Sequence, residues 1–133
     1  MRYLLDTDWV IDHLHSVARV VERLEELAPK GLGLSVISLA ELYEGIFNST
    51  NPADNEQALQ DFLSGVVEVV PVDEETCRRF GRERGRLRRE GRMIADFDLL
   101  IGATALHHNL TLLSNNRRHF EVVEGLEVIS ITP

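Results

Sequence analysis

The chain has 133 residues, of which 44% are hydrophobic and 27% are charged, and its formal net charge is −8 at pH 7. Its apolar runs are too short to span a bilayer, and its acidic balance argues against broad nonspecific binding to nucleic acid. The single cysteine, Cys77, excludes an internal disulfide. We expect residues 1–133 to form one domain in a reducing cytoplasm, without a signal peptide and with Cys77 at least semi-buried.

Short apolar runs alternate with helical patterns along the whole sequence, beginning with the run Tyr3-Leu4-Leu5. This alternation predicts an α/β fold with a parallel sheet and helices on both of its faces. The predicted strands are 3–5, 32–37, 66–72, 110–113 and 126–131. The predicted helices are 7–14, 17–27, 38–48, 53–63, 73–90, 97–108 and, as a single turn, 117–120.

Acidic side chains collect at three junctions between the predicted strands and helices. They are Asp6 and Asp8 after the first strand, Glu41 in the first turn of the helix after the second strand, and Asp96 and Asp98 at the start of the helix before the fourth strand. The polar segment 114–116 follows the fourth strand. Because the carboxyl ends of parallel strands share one edge of a sheet, these side chains can converge there.

Each of these residues also has a purely structural interpretation. The alternatives are N-caps at Asp6, Asp8 and Asp96, a capping box between Ser38 and Glu41, a helix-dipole contact by Asp98, and turn positions at Asn115 and Asn116. None of them explains why the carboxylates collect at one predicted edge.

Clustered carboxylates repel one another unless a cation neutralises them. Oxygen ligands favour a hard ion, Mg²⁺ or Mn²⁺, which keeps several waters and takes further ligands from a phosphate. The chemistry implied is hydrolysis of a phosphodiester by one ion, or by two ions about 3.5–4 Å apart. The sequence leaves the number of ions open.

Four stretches resemble, in their order and spacing, those of PIN domains, and among PIN domains those of VapC-like toxins. They are Tyr3-Leu-Leu-Asp-Thr-Asp8, Ser35-Val-Ile-Ser-Leu-Ala-Glu-Leu42, residues 94–105 and residues 112–120. The resemblance implies a PIN-like three-layer α/β/α fold with a central parallel sheet of four to five strands. It also implies a Mg²⁺-dependent endoribonuclease that is the toxin of a type II toxin–antitoxin pair.

The resemblance assigns catalytic positions to four residues: Asp6, Glu41, Asp98 and Asn116. The first three would hold the metal, whereas Asn116 stands where the family often has Asp and so lowers the charge of the site. Supporting roles fall to Thr7, Ser38, Asp96 and Ser114. The partners implied are an RNA substrate, a small VapB-type antitoxin and a second copy of the chain in a homodimer.

Eight arginines lie between Arg78 and Arg92. On an ideal helix Arg78, Arg79, Arg82, Arg86 and Arg89 fall within an arc of roughly 100°. We expect Arg79, Arg82 and Arg86 to contact the RNA backbone. The alternative is a solvated face that Glu83 and Glu90 balance. The five histidines, His13, His15, His107, His108 and His119, show no zinc-ligand spacing, and we expect no metal role for them.

Three other functions compete with a toxin nuclease. One is a PIN-domain RNA-processing nuclease outside a toxin–antitoxin system, and another is a PIN-like module that binds without catalysis. The third is a haloacid-dehalogenase-like phosphatase, because residues 4–8 resemble the opening motif of that class. That class needs a lysine late in the chain, whereas the only lysine here is Lys30, and Trp9 replaces an expected glycine.

Overall fold

The fold is taken from a computed structural model that describes residues 1–65 and 67–131. Within them five strands form one parallel sheet in the order β3-β2-β1-β4-β5. The strands are β1 (Tyr3–Leu5), β2 (Leu32–Ser35), β3 (Val67–Val70), β4 (Thr111–Leu113) and β5 (Val128–Ile129). The α-helices are α1 (Thr7–Leu14), α2 (Ala18–Leu27), α3 (Val36–Phe47), α4 (Pro52–Leu63), α5 (Glu74–Arg89), α6 (Asp96–His107) and α7 (Arg117–Phe120), with a short 3-10 helix at Ala28–Lys30.

The alternation of side chains along the central strand divides the core into two layers. Tyr3 and Leu5 pack into a cluster with residues of α1 to α4, whereas Leu4 packs with residues of α5 to α7. All three side chains are buried, as expected for a strand covered on both faces. The predicted α/β/α architecture with helices on both sides of a parallel sheet is therefore confirmed.

The second strand is shorter than predicted, and the helix after it begins earlier. Ser35 ends β2, and its hydroxyl accepts a hydrogen bond of 3.1 Å from the backbone N–H of Ile37. That cap starts α3 at Val36, so the predicted strand 32–37 and the predicted helix start at Ser38 were both wrong. Ser38 is the third residue of α3 and not its cap.

The observed ends of β3, β4 and β5 differ from the predicted ends, and for β3 and β5 the extent of pairing with the neighbouring strand sets the length. In the described ranges β3 pairs with Leu32–Ser35 alone, and Pro71, which has no N–H to donate, follows it. Of the predicted strand 66–72, Val66 lies outside the described residues. Among the residues that the structure describes, β5 pairs with Leu112 and Leu113 alone, so the predicted strand 126–131 shrinks to two residues. β4 begins at Thr111, one residue later than predicted.

One expectation about a single residue, the burial of Cys77, was wrong, and one structural alternative, the N-cap at Asp96, does not hold. Cys77 is exposed on α5, because the next residue of an α-helix is rotated by about 100° and so turns away from the side on which Thr76 is buried. Asp96 is the first helical residue of α6, while Ala95 occupies the N-cap position. None of the helices in the described part of the chain is both long and apolar enough to cross a membrane.

Helices α5 and α6 form an antiparallel pair. Gly91, with a φ of +68°, turns the chain after α5. At this end Arg84 donates a hydrogen bond of 3.0 Å to the carbonyl of Ile94 and pairs with the carboxylate of Asp96. At the other end, Asp73 before α5 meets His107 at the end of α6. The pairing fixes where α6 begins and therefore where Asp98 lies.

Candidate active site

The carboxylate of Asp6 is buried at the point where β1 ends and α1 begins. Its Oδ1 accepts a hydrogen bond of 2.8 Å from the N–H of Thr7, and its Oδ2 accepts one of 2.6 Å from the hydroxyl of Ser114. Burial raises the pKa of Asp6, and the hydrogen bonds from Ser114 and Thr7 act in the opposite direction. Asp6 is thus the N-cap of α1, as the structural alternative supposed, and also a fixed carboxylate at the sheet edge.

Glu41 reaches the same edge from the second turn of α3. The hydroxyl of Thr7 donates a hydrogen bond of 2.7 Å to its Oε1. Burial raises the pKa of Glu41, and the negative charges of Asp6 and Asp98 raise it further. Thr7 therefore links the first two predicted ligands: its N–H binds Asp6 and its hydroxyl binds Glu41.

Asp98 lies in the first turn of α6, with its side chain partly exposed. Its charge raises the pKa of both Asp6 and Glu41, so the three carboxylates face one region although they come from three separate elements. They form an open cluster. Within the described residues, the ligand atoms of these three side chains do not all lie within 4.8 Å of one another.

The donor set of this cluster fits a hard divalent cation. The three residues offer only carboxylate oxygens, which Mg²⁺ and Mn²⁺ prefer, and an open arrangement suits an ion that keeps several waters. Two buried polar atoms nearby in the sequence have no hydrogen-bond partner among the described residues, Oδ1 of Asp8 and Oγ of Ser38. Burial raises the pKa of Asp8 to about 7, and the negative charge of Asp6 adds to the effect. A cation would offset this concentration of negative charge.

The loop after β4 supports Asp6. The hydroxyl of Ser114 both donates to Asp6 and accepts a hydrogen bond of 3.0 Å from the N–H of Asn116. Asn116 is exposed at the N-cap position of α7. The carboxylate of Asp96, in contrast, pairs with Arg84 and anchors the start of α6 to α5. Ser114 therefore acts at Asp6, whereas Asp96 acts at the start of α6.

Sequence reasoning gave Asn115 no more than a turn position, yet it joins three parts of the chain. Its N–H donates a hydrogen bond of 2.9 Å to Oδ2 of Asp8. Its side-chain oxygen accepts hydrogen bonds from Nε1 of Trp9 at 3.2 Å and from the N–H of Ile131 at 2.9 Å. The pairing of β1 with β4 brings these loops together, and that pairing is not visible in a local motif.

His119 is a second residue that the sequence did not single out. Its Nδ1 lies 3.3 Å from Oδ2 of Asp98, and its side chain is 61% exposed. Together with Asp98, Met93 and Arg118 it lines a shallow groove beside the carboxylate cluster. The sequence feature that could have pointed to His119 as a site residue is its position three residues after Asn116.

The arginines of α5 do not form one uniform face. Arg86 pairs with Glu83 at 2.6 Å and Glu90 at 3.0 Å, and it donates a hydrogen bond of 2.7 Å to the carbonyl of Val122. Within the described residues, Arg79 and Arg82 form no ion pair with a carboxylate. Arg86 is thus part of an internal network, whereas the charges of Arg79 and Arg82 are available to an outside anion.

Comparison with known proteins identifies the family of the chain. The PIN-domain family model matches residues 3–126. Ribonuclease VapC1 of Haemophilus influenzae (strain R2866) is 32% identical over 129 residues, which cover 96% of each chain. The tRNA(fMet)-specific endonuclease VapC of Shigella flexneri is 29% identical over 126 residues, covering 95% of each chain.

Solved structures agree as well. A chain in the crystal structure of VapBC2 from Rickettsia felis, bound to a DNA fragment from the promoter, matches with a TM-score of 0.90 and 29% identity over 98% of each chain. The match over nearly the whole length removes the alternative of a haloacid-dehalogenase-like phosphatase. This chain belongs to the PIN-domain family and, within that family, to the VapC ribonucleases.

Proposed function

We propose that this protein is a Mg²⁺-dependent endoribonuclease and the toxin of a toxin–antitoxin pair. What supports the proposal is the open carboxylate cluster, in which the charge of Asp98 acts on both Asp6 and Glu41, in a chain of the VapC family. Divalent ions held by carboxylates serve phosphodiester hydrolysis among other reactions, and the ribonuclease names of the relatives support RNA as the substrate.

In this proposal Asp6, Glu41 and Asp98 hold Mg²⁺, for which Mn²⁺ can substitute, and Asn116 completes the catalytic group. When bound, the ion supplies positive charge against the phosphate and lowers the pKa of water. Hydrogen bonds from neighbouring side chains position the carboxylates of Asp6 and Glu41. Thr7 orients Glu41 through its hydroxyl, and Ser114 orients Asp6. Both hydrogen bonds favour the ionised carboxylate that a metal requires, and so act against the burial that raises the pKa of each group.

Ser38 and Asp96 have supporting roles of different kinds. Ser38 is buried on α3, and its hydroxyl oxygen, one turn before Glu41, has no hydrogen-bond partner in the part of the chain that the structure describes. Asp96 acts through Arg84 and keeps the first turn of α6, and so Asp98, in place. Neither residue needs to contact RNA to affect catalysis.

The RNA backbone is bound by arginines on α5, with Arg79 and Arg82 making the direct contacts. Their free charges support this role despite the acidic balance of the chain. Arg86 is retained as a contact residue in the proposal, although its ion pairs with Glu83 and Glu90 compete with a phosphate. The role of Arg86 should therefore be tested separately from the roles of Arg79 and Arg82.

The partners follow from the family. The matching chain of Rickettsia felis belongs to a VapBC complex, which supports a VapB-type antitoxin as the protein partner here. A homodimer, a single domain over residues 1–133 and a cytoplasmic location remain predictions. Co-purification with the product of a small neighbouring gene would distinguish a toxin from an RNA-processing nuclease that acts alone.

The nuclease proposal is tested with Asp6→Asn and Asp98→Asn. Each substitution keeps the size of the side chain but removes a charge, so we expect Mg²⁺-dependent cleavage of a structured RNA to fall by at least about a hundredfold. Asp54→Asn is the matched control, because Asp54 is also an acid in the first turn of a helix but lies on α4 and is exposed. Cleavage by Asp98→Asn at the rate of the Asp54→Asn control would overturn the proposal.

A further inference from the structure

Asp73, His107 and His108 form a second group of metal-ligating side chains. One ligand atom from each of the three lies within 4.8 Å of the other two. Within the described residues, no other group of three or more histidine, cysteine or acidic residues meets this separation. Both histidines are half-buried, and Asp73 is exposed to solvent. The group therefore combines two imidazoles with one carboxylate at a site that an ion can enter.

This group is separate from the carboxylate cluster. His107 and Asp98 are nine residues apart on α6, which corresponds to about 14 Å along the helix axis. The group lies where the start of α5 meets the end of α6, whereas Asp98 lies in the first turn of α6. One ion cannot be bound by both groups.

Each member of the group has a ligand atom to offer. Asp73 uses Oδ1 to accept hydrogen bonds of 2.9 Å from the N–H and the hydroxyl of Thr76, which leaves Oδ2 facing His107. His108 has a buried Nε2 without a hydrogen-bond partner among the described residues. The capping of α5 and the binding of an ion therefore use different oxygens of Asp73.

The distance between Asp73 and His107 fits a shared ion. Oδ2 of Asp73 lies 3.2 Å from Nε2 of His107. In a tetrahedral zinc site, with bonds of about 2.0–2.2 Å, neighbouring ligand atoms are about 3.4 Å apart. Imidazole ligands favour Zn²⁺, Co²⁺, Ni²⁺ or Cu²⁺ over Mg²⁺, which prefers oxygen.

We propose that Asp73, His107 and His108 bind a transition-metal dication of the Zn²⁺ class, with water completing its coordination. This site differs in ligand chemistry from the carboxylate cluster, which binds Mg²⁺ in the proposed function. The ion joins the start of α5 to the end of α6 and stabilises that pair of helices. The sequence analysis expected no metal role for the histidines, because they show no zinc-ligand spacing. The spacing gave no sign of this group because Asp73 is 34 residues from His107, and the three residues come together only in the folded chain.

The test is a titration of the chelator-treated full-length protein with Co²⁺, followed by displacement with Zn²⁺, in millimolar Mg²⁺. The visible absorption of Co²⁺ reports tetrahedral coordination, and the Mg²⁺ occupies the carboxylate cluster. We expect one equivalent to bind to the wild type. Asp73→Asn, His107→Gln and His108→Gln should each weaken binding by about tenfold or more. Asp73→Asn keeps a good N-cap residue, so α5 retains its start.

Two control variants locate the ion. The double variant Asp6→Asn/Asp98→Asn should bind Co²⁺ as the wild type does, and so should His15→Gln, which removes an exposed histidine from outside the group. Zn²⁺ should also raise the melting temperature of the wild type and of both controls, because it binds only the folded chain, but not that of the three site variants. The proposal is overturned if the three site variants bind as the wild type does, or if binding disappears in Asp6→Asn/Asp98→Asn. Neither measurement depends on RNA cleavage, so the proposed function is tested separately.

Discussion

Ser114 and Asp6, 108 residues apart in the chain, are joined by a buried hydrogen bond of 2.6 Å from the serine hydroxyl to Oδ2 of Asp6. The bond links the ends of β1 and β4, which are neighbours in the sheet. It also opposes the effect of burial, which raises the pKa of Asp6. One hydroxyl thus fixes the position of the carboxylate and favours its ionised form.

Ser114→Ala should therefore weaken Mg²⁺ binding. A carboxylate that loses such a partner is less well oriented and takes up a proton more readily, and comparable losses around metal sites cost about 10–100-fold in affinity or activity. The measurement is the Mg²⁺ concentration that gives half-maximal cleavage. Ser114→Thr keeps the hydroxyl and should stay close to the wild type. Equal Mg²⁺ dependence for Ser114→Ala and the wild type would show that this hydrogen bond is not needed for metal binding.

Thr7→Val should shift the pH dependence of cleavage. The hydroxyl of Thr7 binds Oε1 of Glu41 at 2.7 Å and lowers the pKa of a carboxyl that burial raises. Valine has nearly the same shape without the donor, so the pKa of Glu41 should rise further. Because the metal needs the ionised form, activity should be lost at a higher pH as the solution is acidified. The measurement is the pH–rate profile at fixed Mg²⁺.

Thr7→Ser is the matched control for that experiment, since it keeps the hydroxyl that reaches Glu41. Its acid limb should coincide with that of the wild type. A profile for Thr7→Val that also coincides with the wild type would mean that Glu41 does not take part in the pH-dependent step.

The positions of Asp6, Glu41 and Asp98 could be predicted from the sequence because each stands at a fixed place relative to a strand or helix. Their hydrogen bonds could not. Thr7 meets Glu41 only because α1 and α3 pack side by side, and no local pattern fixes that packing. The sequence therefore identified the carboxylates and left their partners undetermined.

The first residue of α3 could not be predicted from the sequence either, for a different reason. Ser35 and Ser38 are both good capping residues, and Ser38 is followed three positions later by Glu41, the pattern of a capping box. The outcome depends on sheet pairing: β2 stays extended as far as Ser35 because Ser35 is in register with Val70 of β3. The pairing of two strands distant in sequence thus determines that Ser35, and not Ser38, caps α3.

The two classes of arginine on α5 should respond differently to substitution. Arg79→Glu/Arg82→Glu should weaken RNA binding and reduce its salt dependence, because each phosphate contact to a single strand contributes about 0.7 to the slope of log affinity against log salt. The melting temperature should change little, since within the described residues neither side chain forms an ion pair with a carboxylate. Binding is measured with the inactive Asp98→Asn protein as background.

Arg86→Ala should instead lower the melting temperature. The side chain joins Glu83 and Glu90 of its own helix to the carbonyl of Val122, and the substitution leaves those acceptors without their donor. Its effect on the salt slope distinguishes a structural role from a direct RNA contact. A reduced slope at an unchanged melting temperature would place Arg86 at the RNA instead.

Asp8 should make the metal-free protein less stable as the pH rises. Burial raises its pKa from the ordinary value of 3.8 to about 7, so the folded state holds the proton more tightly than the unfolded chain does. The stabilisation that Asp8 contributes is fully present below about pH 4 and is lost as the pH rises through about 7. Asp8→Asn stays neutral and can still accept the hydrogen bond from the N–H of Asn115.

The melting temperature of Asp8→Asn relative to the wild type, measured in chelator, should therefore increase as the pH is raised from 4 to 8. Asp54→Asn controls for the loss of one negative charge, because Asp54 is exposed on α4. Added Mg²⁺ should narrow the difference at pH 8, since a cation near Asp6 offsets the charge of Asp8 as well. A difference that is constant over this pH range, or that follows the Asp54→Asn control, would show that Asp8 is ionised in the folded protein throughout.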